Sequence, residues 1–213
     1  MNLPAVFSSA YPPAVTNFRG AITMRLASGG ADVDELVDEF TELAEDWAIN
    51  FPDDAEPVAA EDVPGVVDEV VAAYQQVVTQ MSPDASGLMA ALDALFEAGI
   101  LYSYGDAFEA GDATEELQRA FEIIEADGGT LRGYLFSLVG DLDELVLEQR
   151  LDITFGVFDG GTDAATELAT DAVRILNACG LSASWSGVLD EPIVVAPMVL
   201  DAPLVVEDEE HSH

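Results

Sequence analysis

An α/β architecture, with α+β as its neighbour, is what the sequence predicts, and three observations carry the prediction. Residues 100–200 alternate short aromatic or β-branched runs with amphipathic runs of helical spacing. The first 98 residues follow helical spacing almost throughout. Half of the 213 residues are hydrophobic, enough for a sizeable core. The expected layout is an irregular arm over 1–16, a helical region over 17–98, an α/β domain over 99–200 and an acidic tail over 201–213. The sheet has roughly five strands with flanking helices, and the whole is expected to form one unit.

Pro4, Pro12 and Pro13 discourage regular structure in the arm. A short helix is expected from Phe18 to Ala27, ended by Gly29 and Gly30. In ADVDELVDEFTELAEDWAI, Val33, Leu36, Val37, Phe40, Leu43, Ala44 and Trp47 form one apolar stripe. Asp32 reads as its N-cap, with Glu35 three positions on. NFPDDAEPVAAEDVPG reads as a linker, and VVDEVVAAYQQVVTQM is too long for a strand and reads as a helix. Ser82 as N-cap and Pro83 at the first helical position start another helix, which stops at Gly99.

From Ile100 the pattern changes. ILYSYG, LRGYLFSLV and LDITFGVF read as strands, with helices in DATEELQRAFEIIEADGG and DLDELVLEQ between them. Another helix follows, then LSASWSG and PIVVAPMVL as the last two strands.

The stretch LDITFGVFDGGTDAATELATDAVRILNACG has the strand, glycine turn and helix order of a phosphate cradle. Its chemistry argues otherwise. No lysine takes the Walker position, and Gly156, Gly160 and Gly161 do not fit the dinucleotide spacing. Asp159 and Asp163 already complement the helix dipole and repel a phosphate. Thr162 or Asp163 is the expected N-cap, Gly180 the stop, and the helix turns Ala165, Leu168, Ala169, Ala172, Ile175, Leu176 and Cys179 to the core. No nucleotide or other cofactor is therefore expected.

Charge is the unusual feature: 42 acidic residues against 6 basic, a net charge of −36. All six basic residues are arginines, Arg19, Arg25, Arg119, Arg132, Arg150 and Arg174. Such a field repels nucleic acid and anionic membranes and favours basic proteins or cations as partners. Adaptation to high salt explains the acidity simply, and an acidic mimic of nucleic acid aimed at a basic protein is the sharper alternative.

The single cysteine, Cys179, excludes an internal disulfide and reads as a buried thiol. Neither a signal peptide nor a membrane span is expected, and cytoplasmic location is the default. The two histidines, His211 and His213, lie in the acidic tail, where a loose divalent site is the most they offer. Histidine-dependent catalysis in the body is excluded. Acid–base work by carboxylates stays open, and Asp106, Asp141 and Asp159 each follow a predicted strand, where α/β proteins gather ligands. Tyr104 and Trp185 are amphipathic aromatics at loop ends, candidates for packing or for contact.

ALFEAGILYSYGDAFEAG, RGYLFSLVGDLDELV, LDITFGVFDGG and GLSASWSG together resemble a bacterial family carrying a domain of unknown function. The residues that carry the likeness are Gly99, Tyr104, Asp106, Gly133, Tyr134, Phe136, Asp141, Leu151, Phe155, Gly156, Gly180, Leu181, Trp185 and Gly187. It covers roughly residues 88–196. The family places a His-x-Gln-Asp-like run after its G-Y-x-F strand. Here Leu138 stands at the histidine and only Asp141 is kept, so no histidine-dependent role carries over. The resemblance implies a fold and supplies no activity.

The functional expectation is a soluble, non-catalytic acidic protein that binds a partner or acts as an accessory, with no catalytic residue assigned. Candidate contacts are Tyr104, Asp106, Asp141, Asp159 and Trp185. Two alternatives stay open: the nucleic-acid mimic, and a carboxylate-based hydrolase or lyase.

Overall fold

Helical spacing in the first third becomes four helices: α1 (Phe18–Ala27), α2 (Val33–Glu45), α3 (Trp47–Asn50) and α4 (Val63–Val77). The computed structural model describes residues 3–29, 33–52, 54 and 56–204. The expected helix stop at Gly30, the Asp32 cap and both histidines lie outside them. By contacts the chain divides into two units, residues 1–81 with 201–213, and residues 82–200.

In the first unit the Asn17 side chain accepts from the Gly20 N–H and starts α1. The Phe18 ring is the centre of its core. Phe40, Trp47 and Phe51 surround it at centroid distances of 5.3, 5.0 and 5.3 Å. The apolar stripe over 33–47 is real, but Asp46 leaves helical geometry and divides the stretch into α2 and α3. The expected linker contains a short 3-10 turn over Ala60–Asp62, and α4 begins at Val63 with Pro64 in its first turn. A second 3-10 turn, Ala5–Ser8, lies in the arm. Residues 201 and 202 are held in this unit. The Asp201 carboxylate accepts from the Ala5 N–H, and the Tyr74 hydroxyl donates to the Ala202 carbonyl at 2.8 Å. Burial pushes the Tyr74 phenol up to about 12.

The second unit is a five-stranded mixed sheet with helices α5 (Pro83–Glu97), α6 (Ala110–Ala126), α7 (Val139–Glu148) and α8 (Thr162–Ala178). Ser82 caps α5 and Pro83 opens it, as the sequence predicts. The strands are β1 (Ile100–Tyr104), β2 (Gly133–Ser137), β3 (Leu151–Val157), β4 (Ala183–Ser184) and β5 (Ile193–Val195), in the order β1-β2-β3-β5-β4. β1 and β2 are parallel, joined by α6, while β2–β3, β3–β5 and β5–β4 are antiparallel. β4 and β5 are shorter than their sequence runs. Pro192 and Pro197 flank β5, and neither can donate to a ladder.

One expectation is corrected at α8. Its N-cap is Gly161, in extended conformation and without a side-chain cap bond, rather than Thr162 or Asp163. Of the expected stripe, Leu168, Ala169, Ala172, Ile175 and Leu176 are buried, while Ala165 in the first turn and Cys179 at the C-cap are only half-buried, so the thiol is not the buried one expected.

Register sorts the side chains into two faces. Ile100, Leu135, Leu151, Ile153, Ile193 and Val195 lie on one face. There α5 packs on β1 and α8 on β3 and β4. The other face carries Leu101, Phe136, Tyr134, Gly156, Thr154, Asp152, Val194 and Ser184. On it α6 covers β1 and β2 through Leu117 and Ala113, against Leu101 and Phe136. The Tyr134 ring lies over Gly156, where a Cβ would collide with it. Beyond Gly156, Thr154 and Ser184 are exposed and Val194 is half-buried.

Candidate functional site

The antiparallel turn at β3 decides which predicted residues meet. Because Gly133 pairs with Val157, Tyr104, Ser137 and Leu151 share one edge of the sheet, and Val157 lies at the other. Asp106 and Asp141 therefore stand at the Tyr104 edge, while Asp159 is exposed at the opposite edge. The three carboxylates do not converge. Each follows a strand as the sequence predicts, but a ten-residue α7 returns the chain antiparallel to β2 and so puts the end of β3 at the other edge.

Asp106 closes the end of β1. Its Oδ2 accepts from the Ser103 hydroxyl at 2.9 Å and from the Tyr104 N–H at 3.1 Å. The Tyr104 ring meets Tyr102 edge-on at 6.0 Å, and burial pushes its phenol well above the usual range. The Tyr102 and Ser137 hydroxyls are 2.9 Å apart, and Ser137 donates to the Asp152 carbonyl, tying β1, β2 and β3 together. These groups hold the edge in place.

Asp141 sits in the first turn of α7 and accepts from the Leu138 N–H at 2.6 Å. Burial pushes its carboxyl up, partly offset by that hydrogen bond, and the nearby Asp152 charge pushes the same way as burial. Trp185 closes the β4–β5 connection. Its indole N–H is shared between the Val188 and Glu191 carbonyls at 3.0 and 3.2 Å, and its ring meets Phe155 edge-on at 5.4 Å.

Asp141 and Trp185 also line the open part of the sheet, together with residues that sequence reasoning passed over. One cleft, of about 450 Å³, runs between Arg150, Asp152, Ser184, Trp185 and Glu191. A second, of about 350 Å³, runs between Asp141, Asp152, Thr154, Asp190 and Glu191. Asp152, Glu191 and Pro192 line both, so the two form one groove across β3 and β5. Arg150 holds the Asp152 carboxylate side-on, at 2.7 and 2.9 Å. A signal for this groove was in the sequence. Asp152, Thr154 and Gly156 alternate with apolar residues, and a strand covered by helices on both faces would read as continuously apolar.

The arginine at this site is already engaged, and so are the others. Arg19 pairs with Glu69, Arg25 with Glu39, Arg119 with Glu115, Arg132 and Arg174 with Asp171, and Arg150 with Asp152. Every arginine of the chain thus faces a carboxylate, which leaves most of the acidic side chains without a cationic partner among the described residues. Among the described residues no helix is long and apolar enough to cross a membrane. No group of three or more metal-ligating side chains converges among them either.

A family model described as Domain of unknown function (DUF6891) matches residues 12–201. No curated protein and no solved structure matches the chain.

Proposed function

Since the chain belongs to the DUF6891 family, whose description carries no activity, we propose its function from its own site: a non-catalytic acidic binding or accessory protein. Its working surface is the uncovered face of β3, β5 and β4. The observation that carries this reading is the asymmetry of the sheet. One face is packed by α5 and α8, whereas on the other α6 stops at β2 and a groove lined by Asp141, Asp152, Asp190 and Glu191 follows. A polar, concave sheet face between packed elements is a common form of binding surface. The site offers a partner carboxylates, hydroxyls and one indole edge. Asp106, which would have served a carboxylate mechanism, is committed to the β1 turn.

The acidic surface fits a protein that works in the cytoplasm at high salt, where counterions screen its self-repulsion. The acids also line helices of both units, as on α2 (Asp34, Glu35, Asp38, Glu42) and α6 (Asp112, Glu115, Glu116, Glu122). That distribution favours solvation over a single acidic ridge of the kind a nucleic-acid mimic presents.

Photo-cross-linking in the producing cell tests the reading. A benzophenone side chain placed at Thr154 or Ser184 should yield a defined protein adduct, and one placed at Glu42 should not. Equal adducts from all three positions, or none from the sheet face, would overturn it.

A further inference from the structure

We infer that the open sheet face takes a cationic, arginine-bearing segment of a basic protein, with Arg150 acting as an internal competitor for the central carboxylate. The inference rests on the binding reading above and adds the chemistry of the partner.

The argument is charge complementarity on an unpartnered face. Four carboxylates, those of Asp141, Asp152, Asp190 and Glu191, line one groove whose single cation is Arg150. An anionic ligand would have to displace Asp152 from Arg150 and then sit among the remaining acids, so the groove rejects it. A guanidinium meets the reverse situation. Asp152 already accepts a guanidinium side-on, so its geometry suits a second one arriving from solvent, and Arg150 is 44 % exposed and able to swing aside. Val194 and Pro192 supply apolar lining on which the stem of a long basic side chain can lie. The occupant is bound on the face and not as an added strand. The outer edge of β4 is closed, because the Asn177 side chain occupies both the N–H and the carbonyl of Ala183.

Two features separate this site from the general acidic field. Its central carboxylate is paired, so removing Arg150 should raise affinity. Its central carboxylate is also only 22 % exposed, so its contribution should outlast screening at a Debye length of about 3 Å in 1 M salt better than that of exposed acids.

The test is isothermal titration of the whole protein with a ten-residue synthetic peptide of alternating arginine and serine, in 0.1 M and 1 M KCl. Asp152→Asn and Glu191→Gln together should weaken binding about tenfold or more. Arg150→Ala should tighten it about threefold. Glu122→Gln with Glu125→Gln on α6 is the control for the field and should change it less than about twofold. Glu191→Gln alone, in an exposed loop, keeps the test valid if the Asp152 variant does not fold. Equal weakening by both pairs of substitutions would overturn the site. So would binding of a phosphoserine peptide in place of the arginine one, lost on Arg150→Ala. A protein adduct at Thr154 with no arginine-peptide binding would leave the binding surface standing and remove the cationic partner.

Discussion

The side chain of Asn177, near the end of α8, pairs with the backbone of Ala183 as a neighbouring strand would. Its Nδ2 donates to the Ala183 carbonyl at 2.9 Å and its Oδ1 accepts from the Ala183 N–H at 3.0 Å. Ser184 pairs with Val194 on the inner side, so Ala183 presents the outer edge of the sheet. One amide thereby satisfies the exposed end of β4 and anchors the connection that carries Trp185. Asn177→Ala should cost about 1 kcal/mol in urea unfolding, the net value of a pair of exposed hydrogen bonds. A change near zero would show that water replaces the amide without loss.

Gly156 is glycine because the Tyr134 ring occupies the space of its side chain. Gly156→Ala should destabilise by about 1–3 kcal/mol, as overpacking does. The loss should shrink when Tyr134 is also cut to Ala, since the two positions share one contact. Equal losses in both backgrounds would place the cause elsewhere.

Asp141 makes a pH prediction. Burial raises its pKa in the folded protein above the unfolded value. The folded state thus holds this proton more tightly, and the ionised group opposes folding at neutral pH. That opposition is relieved as pH falls through the raised folded value. Asp141→Asn keeps an acceptor for the Leu138 N–H and should be more stable than the wild type at pH 7. The difference should close as the pH falls below about 4, the usual carboxylate range. Unfolding free energies measured from pH 7 to pH 3 check it, and a less stable variant at pH 7 contradicts it. Asp171 has the opposite sign. Hydrogen bonds from Arg132 and Arg174 lower its pKa, so its stabilisation is present at neutral pH and is lost in acid.

With all six arginines paired and 42 acidic residues in the chain, repulsion among carboxylates is the dominant long-range force. Raising KCl from about 0.1 M to 1 M shortens the screening length from about 10 Å to 3 Å. The urea midpoint should rise over that range. An unchanged midpoint would remove salt adaptation from the account.

Much of the fold was legible because it rests on local pattern. The stripe of α8, the Ser82–Pro83 start of α5 and the glycine stop at Gly99 follow from spacing and caps alone. The path of β3 was not legible, because strand direction depends on where α7 delivers the chain, and no residue within β3 encodes that. That Asp159 ends up at the opposite edge from Asp106 and Asp141 was hidden for this reason. The groove was half legible. Asp141 and Trp185 were singled out, and the polar alternation of Asp152 and Thr154 was visible as a pattern. Glu191 joins them only through the β4–β5 connection, and its place depends on the Trp185 indole bond to its carbonyl.

The central claim, that the open face of β3, β5 and β4 is where this protein meets a cationic partner, is tested most directly by the arginine-peptide affinity of Thr154→Arg. Thr154 is exposed in the middle of that face, so the substitution should leave stability within about 0.5 kcal/mol of the wild type. The added guanidinium should fill the groove, pair with its carboxylates and abolish peptide binding. A folded Thr154→Arg protein that binds the peptide as tightly as the wild type would contradict the claim.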